Sequence, residues 1–236
     1  MAVLLGVFTL VSAVAQVAVA RELPPNVVLI LIDDLGWTDL GSYGSSFHET
    51  PNVDRLAAEG LRFANAYAAA PVCSPTRASL MTGKSPARLR ITNFIPGSGA
   101  PDGSPVVPPA DWVRALPAAE ETLAERLKLA GYATGIFGKW HLGDPAPAGQ
   151  GFDEDRSDGF WSWVRYWIPP ILFDTYFGEY YPDVLSRGAV DFIERHAGQE
   201  RPFFLHFSNC SGHTPLEAKQ DLSEKYLQPI DPSSPP

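Results

Sequence analysis

Cysteine is almost missing from this chain. Its 236 residues hold two, Cys73 and Cys210, so at most one disulfide can form. Basic charge is also short. Lys and Arg number 18 against 27 Asp and Glu, for a net charge of −9, which excludes nucleic acid as an expected partner. Charged side chains are absent altogether from residues 1–20. That stretch carries an apolar run from Val3 to Val14 and an A-x-A pattern at Ala18-Val19-Ala20. It reads as a secretory signal peptide cut after Ala20. The alternative is an uncleaved apolar anchor. Either way the protein is exported. With cleavage, a periplasmic, extracellular or lumenal chain with no stable membrane partner is expected.

What remains, residues 21–236, is enough for one sizeable domain with its own core. Hydrophobic residues at 45% and charged residues at 19% are globular values. Asn26 to Ile32 is a continuous apolar, β-branched run and predicts a buried strand of a mostly parallel sheet. It ends in Asp33-Asp34. Two carboxylates at a strand's carboxyl end suit a hard cation such as Ca²⁺ or Mg²⁺; a solvated turn is the plainer reading. Thr50-Pro51 opens a helix through Glu59 that Gly60 closes. Leu61 to Ala66 is a candidate second strand. Pro71 to Gly83 then places Cys73 at a helix start, with Ser74 as N-cap, Pro75 at the first helical position and Gly83 at the far end. A helix N-terminus favours an anion or an activated nucleophile, although a small buried Cys also fits. Arg77, one turn on, can fold back over Cys73 and the carboxylates, or lie on the surface.

Residues 93–119, rich in Pro and Gly, predict an irregular excursion at a pocket rim. Thr122 and Glu125 fit a capping box, and the helix they open carries a core stripe of Leu123, Leu127 and Ala130 before Gly131. Tyr132 to Phe137 is a short strand leading to Gly138-Lys139-Trp140-His141-Leu142-Gly143. In extended chain Lys139 and His141 share a face and set a cation beside an imidazole. Aromatic density over 152–181, with Trp161, Trp163 and Trp167 and with Trp140 upstream, fits packing or stacking on sugar rings. Asp183 can cap a helix running to about Ala197. Pro202 to Phe207 is another buried strand, with His206 packed inside it and His213-Thr214-Pro215-Leu216 after it. Four candidate motifs thus each follow a strand, where α/β sheets bind ligands.

The string C-S-P-T-R-A-S-L-M-T-G from Cys73 resembles the signature of the type I sulfatases, formylglycine-dependent members of the alkaline phosphatase superfamily. G-K-W-H-L-G resembles their second signature. Asp33-Asp34, P-N-x-D-x-L-A-x-E-G and H-T-P-L resemble further segments. The resemblance implies an α/β fold with a mixed, mostly parallel sheet sandwiched by helices. It implies that a formylglycine-generating enzyme converts Cys73 during export and that the aldehyde hydrate attacks the sulfur of a sulfate monoester. Asp33, Asp34 and the modified Cys73 would hold Ca²⁺ or Mg²⁺. Arg77 and Lys139 would stabilise sulfate oxygens. His141 would take the proton that returns the aldehyde, and His213 would serve the leaving oxygen.

The resemblance covers the mature chain but only the N-terminal part of a complete sulfatase. The family's later Asp-Asn metal ligands and second Lys have no match after His213, so the sheet and the metal site are expected to be incomplete. A sulfated carbohydrate is the expected substrate, ahead of a small aryl sulfate. A phosphate or phosphonate ester hydrolase of the same superfamily, and a glycan-binding chain without activity, stay open as alternatives.

Overall fold

The computed structural model describes residues 23–95, 111–158, 179–214 and 216–227. The expected signal peptide, the Trp161–Trp167 cluster and most of the Pro/Gly-rich excursion lie outside the described residues. Four parallel strands form one sheet in the order β1-β4-β2-β3: β1 Val27–Ile32, β2 Ala133–Lys139, β3 Glu154–Asp158 and β4 Phe203–Asn209. The helices are α1 Pro51–Glu59, α2 Cys73–Thr82, α3 Pro86–Leu89, α4 Leu123–Leu129, α5 Tyr181–His196 and α6 Gln220–Tyr226.

Alternation along the two central strands decides which helix covers which face. Ile136 of β2 and Phe204 of β4 join Ala78, Met81, Leu89 and Ala124 from α2, α3 and α4. Ala133 and Phe137 of β2, with Phe203 and Leu205 of β4, meet Leu185, Ala189 and Phe192 of α5 on the other face. This is the expected helix–sheet–helix layering.

Local signals set several ends. Thr122 and Glu125 exchange the two capping-box bonds at 3.1 and 2.7 Å. Gly83 closes α2 in the left-handed region at φ 67. Gly138 at φ 102 lets β2 approach β4 so closely that a Cβ there would lie 2.0 Å from the Ser208 carbonyl oxygen.

Four expectations need correction. Leu61 to Ala66 forms no strand: Leu61 and Phe63 are exposed, and no described strand pairs with them. The α2 N-cap is Val72 rather than Ser74. Asp183 lies in the first turn of α5, whose N-cap is Tyr180. β1 is not buried throughout, since Val28 and Ile30 are exposed. Cys73 and Cys210 are not joined in a disulfide, which keeps residue 73 available as the expected nucleophile position. In addition, β3 was not foreseen. Its sequence, Glu-Asp-Arg-Ser-Asp, has no apolar residue, and among the described residues it pairs only with β2, at the edge of the sheet.

Candidate active site

Three strand ends and one helix start converge. β1 delivers Asp33, whose amide donates to the Asn209 carbonyl at 2.8 Å and so extends the β1–β4 pairing by one residue. β2 delivers Lys139, and α2 delivers Arg77 one turn after Cys73. All three charged side chains are buried, at 7%, 1% and 3% exposure. Burial on that scale is tolerated only with partners. The Lys139 ammonium donates to Oδ2 of Asp33, and the Arg77 guanidinium lies 3.5 Å from Oδ1. Arg77 also donates to the Lys139 carbonyl at 2.7 Å and to the Ser208 hydroxyl. One buried carboxylate therefore stands between two buried cations. Burial works to raise the Asp33 pKa, but the Arg77 and Lys139 charges and the Lys139 hydrogen bond together outweigh it, and the net shift is downward.

Cys73 is the first residue of α2 and is half-buried beside the wholly buried Ser74. His141 follows β2 and lies outside the strand, which ends at Lys139. Its φ is 56, so the extended geometry expected of Lys139 and His141 ends before the ring. The His141 ring instead reaches the Ile95 carbonyl through Nε2. Burial first, then the nearby Lys139 charge, pushes its pKa down to about 4, leaving a neutral imidazole at neutral pH. His213 follows β4; its amide donates to the Cys210 carbonyl at 2.9 Å, and its Nε2 lies 3.9 Å from Oδ2 of Asp34. Asp34 itself is exposed and left-handed at φ 59. Asp33, Lys139 and Arg77 thus form one buried ion cluster, His213 lies by Asp34, and Cys73 precedes Ser74, whose hydroxyl bonds the His141 carbonyl. Cys73 departs from the strand-end rule, because the chain before α2 is irregular.

Asp33 and Asp34 are the only two expected metal carboxylates, and the first already carries Lys139 and Arg77. Among the described residues no group of three or more His, Cys, Asp or Glu side chains is placed to hold a metal ion. Ca²⁺ takes six to eight oxygens, so these residues do not make a complete cation site.

Two residues of the cluster escaped sequence reasoning. Ser208, wholly buried, orients Arg77 from β4; no local pattern flags a serine near the end of a strand. Ser74 donates to the His141 carbonyl at 2.8 Å. Its type and position matched an N-cap, which concealed that role.

The sequence model of the Sulfatase family matches residues 25–232. N-acetylgalactosamine-6-sulfatase of Sus scrofa is 40% identical over 220 residues, which cover 84% of this chain and 41% of that protein. The crystal structure of Ps i-CgsB in complex with k-i-k-neocarrahexaose matches with a TM-score of 0.69 and 30% identity, over 86% of this chain and 48% of that one. The structure of BT4656 in complex with its substrate D-glucosamine-2-N,6-O-disulfate matches with a TM-score of 0.61 and 26% identity, over 80% and 35% of the two chains. The chain therefore spans less than half the length of these relatives.

Proposed function

Because the chain belongs to the sulfatase family, we propose that it serves the hydrolysis of sulfate monoesters of a glycan, with residue 73 as the nucleophile. The observation that carries this reading is the Lys139–Asp33–Arg77 cluster at the start of the helix that begins with Cys73. Sulfate esters are anionic, and attack on them requires fixed positive charge at the sulfate oxygens beside a positioned nucleophile. Arg77 and Lys139 supply that charge. Both are held by the fold before any substrate arrives, so little reorganisation is needed.

Cys73 fits conversion to formylglycine, being a free thiol that is only half-buried; the group supplies a geminal diol, with one oxygen for attack and one for release. His141 is neutral at neutral pH and accepts a proton from the residue-73 side chain. Its Nε2 faces a carbonyl and carries the ring proton, so Nδ1 is the basic nitrogen. His213 protonates the leaving oxygen or holds it. Sulfatases generally use a divalent metal as well, and strand-end carboxylates would take Ca²⁺ or Mg²⁺. The described residues do not complete that site, so no step is routed through it.

A sulfated sugar is the substrate class favoured by the relatives, one of which is named for N-acetylgalactosamine 6-sulfate and another of which was solved with a sulfated glucosamine. The reading also includes residues 1–20 as an export signal, residues 21–236 as the N-terminal part of a catalytic domain, and a formylglycine-generating enzyme as a partner during export. Among the described residues no helix is long and apolar enough to cross a membrane.

The test is turnover of an aryl sulfate and of sulfated monosaccharides by the chain, after mass spectrometry confirms formylglycine at position 73. Any sulfate turnover by the converted chain is expected to vanish in Cys73→Ala. Equal rates in the two, or a preference for matched phosphate esters, would sink the reading.

A further inference from the structure

Ser74 sits directly after the nucleophile position and is wholly buried. A serine at the second residue of a helix is two places too late to act as N-cap, and Val72 offers α2 no side-chain cap. The Ser74 hydroxyl goes elsewhere. It donates to the His141 carbonyl at 2.8 Å and accepts the Ile95 amide at 3.0 Å. The His141 ring completes the circuit by donating from Nε2 to the Ile95 carbonyl. Three stretches far apart in sequence are joined: the start of α2, the segment after α3 and the turn after β2. His141 needs such support. Its φ of 56 is a conformation that a non-glycine residue keeps only when its surroundings over-determine it.

We propose that Ser74 is a positioning residue, whose hydroxyl holds the His141 backbone in its left-handed turn and, through Ile95, keeps the imidazole protonated at Nε2 and basic at Nδ1. The consequence for turnover rests on the sulfatase reading; the ring geometry does not. A serine that merely satisfied buried backbone groups would contribute stability and leave the tautomer alone. A positioning serine sets the tautomer as well.

The experiment compares the wild-type chain with Ser74→Ala and Ser74→Thr. ¹⁵N-histidine NMR at pH 7.5 reads the ring tautomers, and His141→Gln assigns the His141 signals among the five histidines. The wild type is expected to show a single Nε2–H tautomer and a protected Ile95 amide. Ser74→Ala is expected to show both tautomers, and Ser74→Thr, which retains the hydroxyl, to restore one. In turnover, Ser74→Ala is expected to lower kcat by roughly tenfold to a hundredfold, part of what a positioned base contributes. KM should stay within about twofold, since the hydroxyl does not bind sulfate. A Ser74→Ala chain that keeps the single tautomer overturns the proposal, even if it melts earlier. So does a wild-type ring protonated at Nδ1, or a wild-type Ile95 amide that exchanges at the free-peptide rate. These wild-type measurements decide the matter if Ser74→Ala does not fold. A wild-type chain with no sulfate turnover would count against the proposed function, while the tautomer spectra would still judge Ser74.

Discussion

Lowering the pH from 7 to 4.5 is expected to weaken the fold through two imidazoles. His206 lies in β4 at 2% exposure, with its ring stacked 6.5 Å from that of Phe152. Burial, and then the Arg77 charge, pushes its pKa down to about 3. His141 is pushed to about 4 by burial first and then by Lys139. Both rings take their ordinary value of 6.5 in the unfolded chain. Below pH 6.5 the unfolded chain therefore binds protons that the folded chain refuses, and stability falls as pH falls. Above 6.5 the effect is absent. Two pH units separate 6.5 from 4.5, so His206 costs about 3 kcal/mol at roughly 1.4 kcal/mol per unit. His141 is only partly buried, and solvent screening reduces its share to about 1 kcal/mol. The sum of about 4 kcal/mol is a large part of an ordinary domain's 5–15 kcal/mol. Asp33 adds nothing in this window. Its pKa is depressed, so its contribution persists until the pH drops below the ordinary carboxyl value of 3.8. The assay is urea unfolding at pH 7.0, 5.5 and 4.5, followed by tryptophan fluorescence and extrapolated to water. His206→Gln is expected to remove more than half of the pH dependence. A wild-type stability constant to within about 1 kcal/mol between pH 7 and 4.5 would refute the reasoning, as would an unchanged pH slope in His206→Gln.

The buried ion cluster makes a second prediction. Lys139→Met leaves Asp33 with Arg77 alone and is expected to cost about 3 kcal/mol. Adding Asp33→Asn to the same chain is expected to restore part of that loss, because the stranded charge is gone; equal urea midpoints for wild type and Lys139→Met would contradict it. Calcium titration of this chain by calorimetry is expected to give no stoichiometric binding tighter than about 1 mM, the weak end of protein Ca²⁺ sites, since Asp33 and Asp34 are too few ligands. A micromolar constant would mean that donors outside the described residues complete the site.

The parts of the fold legible in sequence are those where burial on both faces forces an apolar run. Phe203 to Leu205 and the residues around Ile136 face helices on either side, so β4 and β2 declare themselves. β3 has no such demand at the sheet edge and reads as a charged loop. The error over Leu61 to Ala66 has the opposite cause. Leu-Arg-Phe alternates as a strand does, but alternation says only that a strand would suit those residues, not that another strand lies alongside.

The same limit governs the site. Asp33, Cys73, Arg77, Lys139 and His213 are legible because each lies in a short string, whereas the contacts among them span long stretches of chain. Lys139 meets Asp33 across 106 residues, Arg77 meets Ser208 across 131, and Ser74 meets His141 across 67. What closes those distances is the central position of β4. It pairs with β1 so that Ile32 lies opposite Asn209, and with β2 so that Gly138 lies opposite Ser208. The carboxyl ends of β1 and β2 are thereby brought level on either side of one strand. Asp33 and Lys139, each at one of those ends, meet above it, and Ser208 presents its hydroxyl to Arg77 from the strand between them. A one-residue slip in either pairing would send alternate side chains to the opposite face and separate the ion cluster. The apolar residues that fix the register of β4 therefore also fix the geometry of the site.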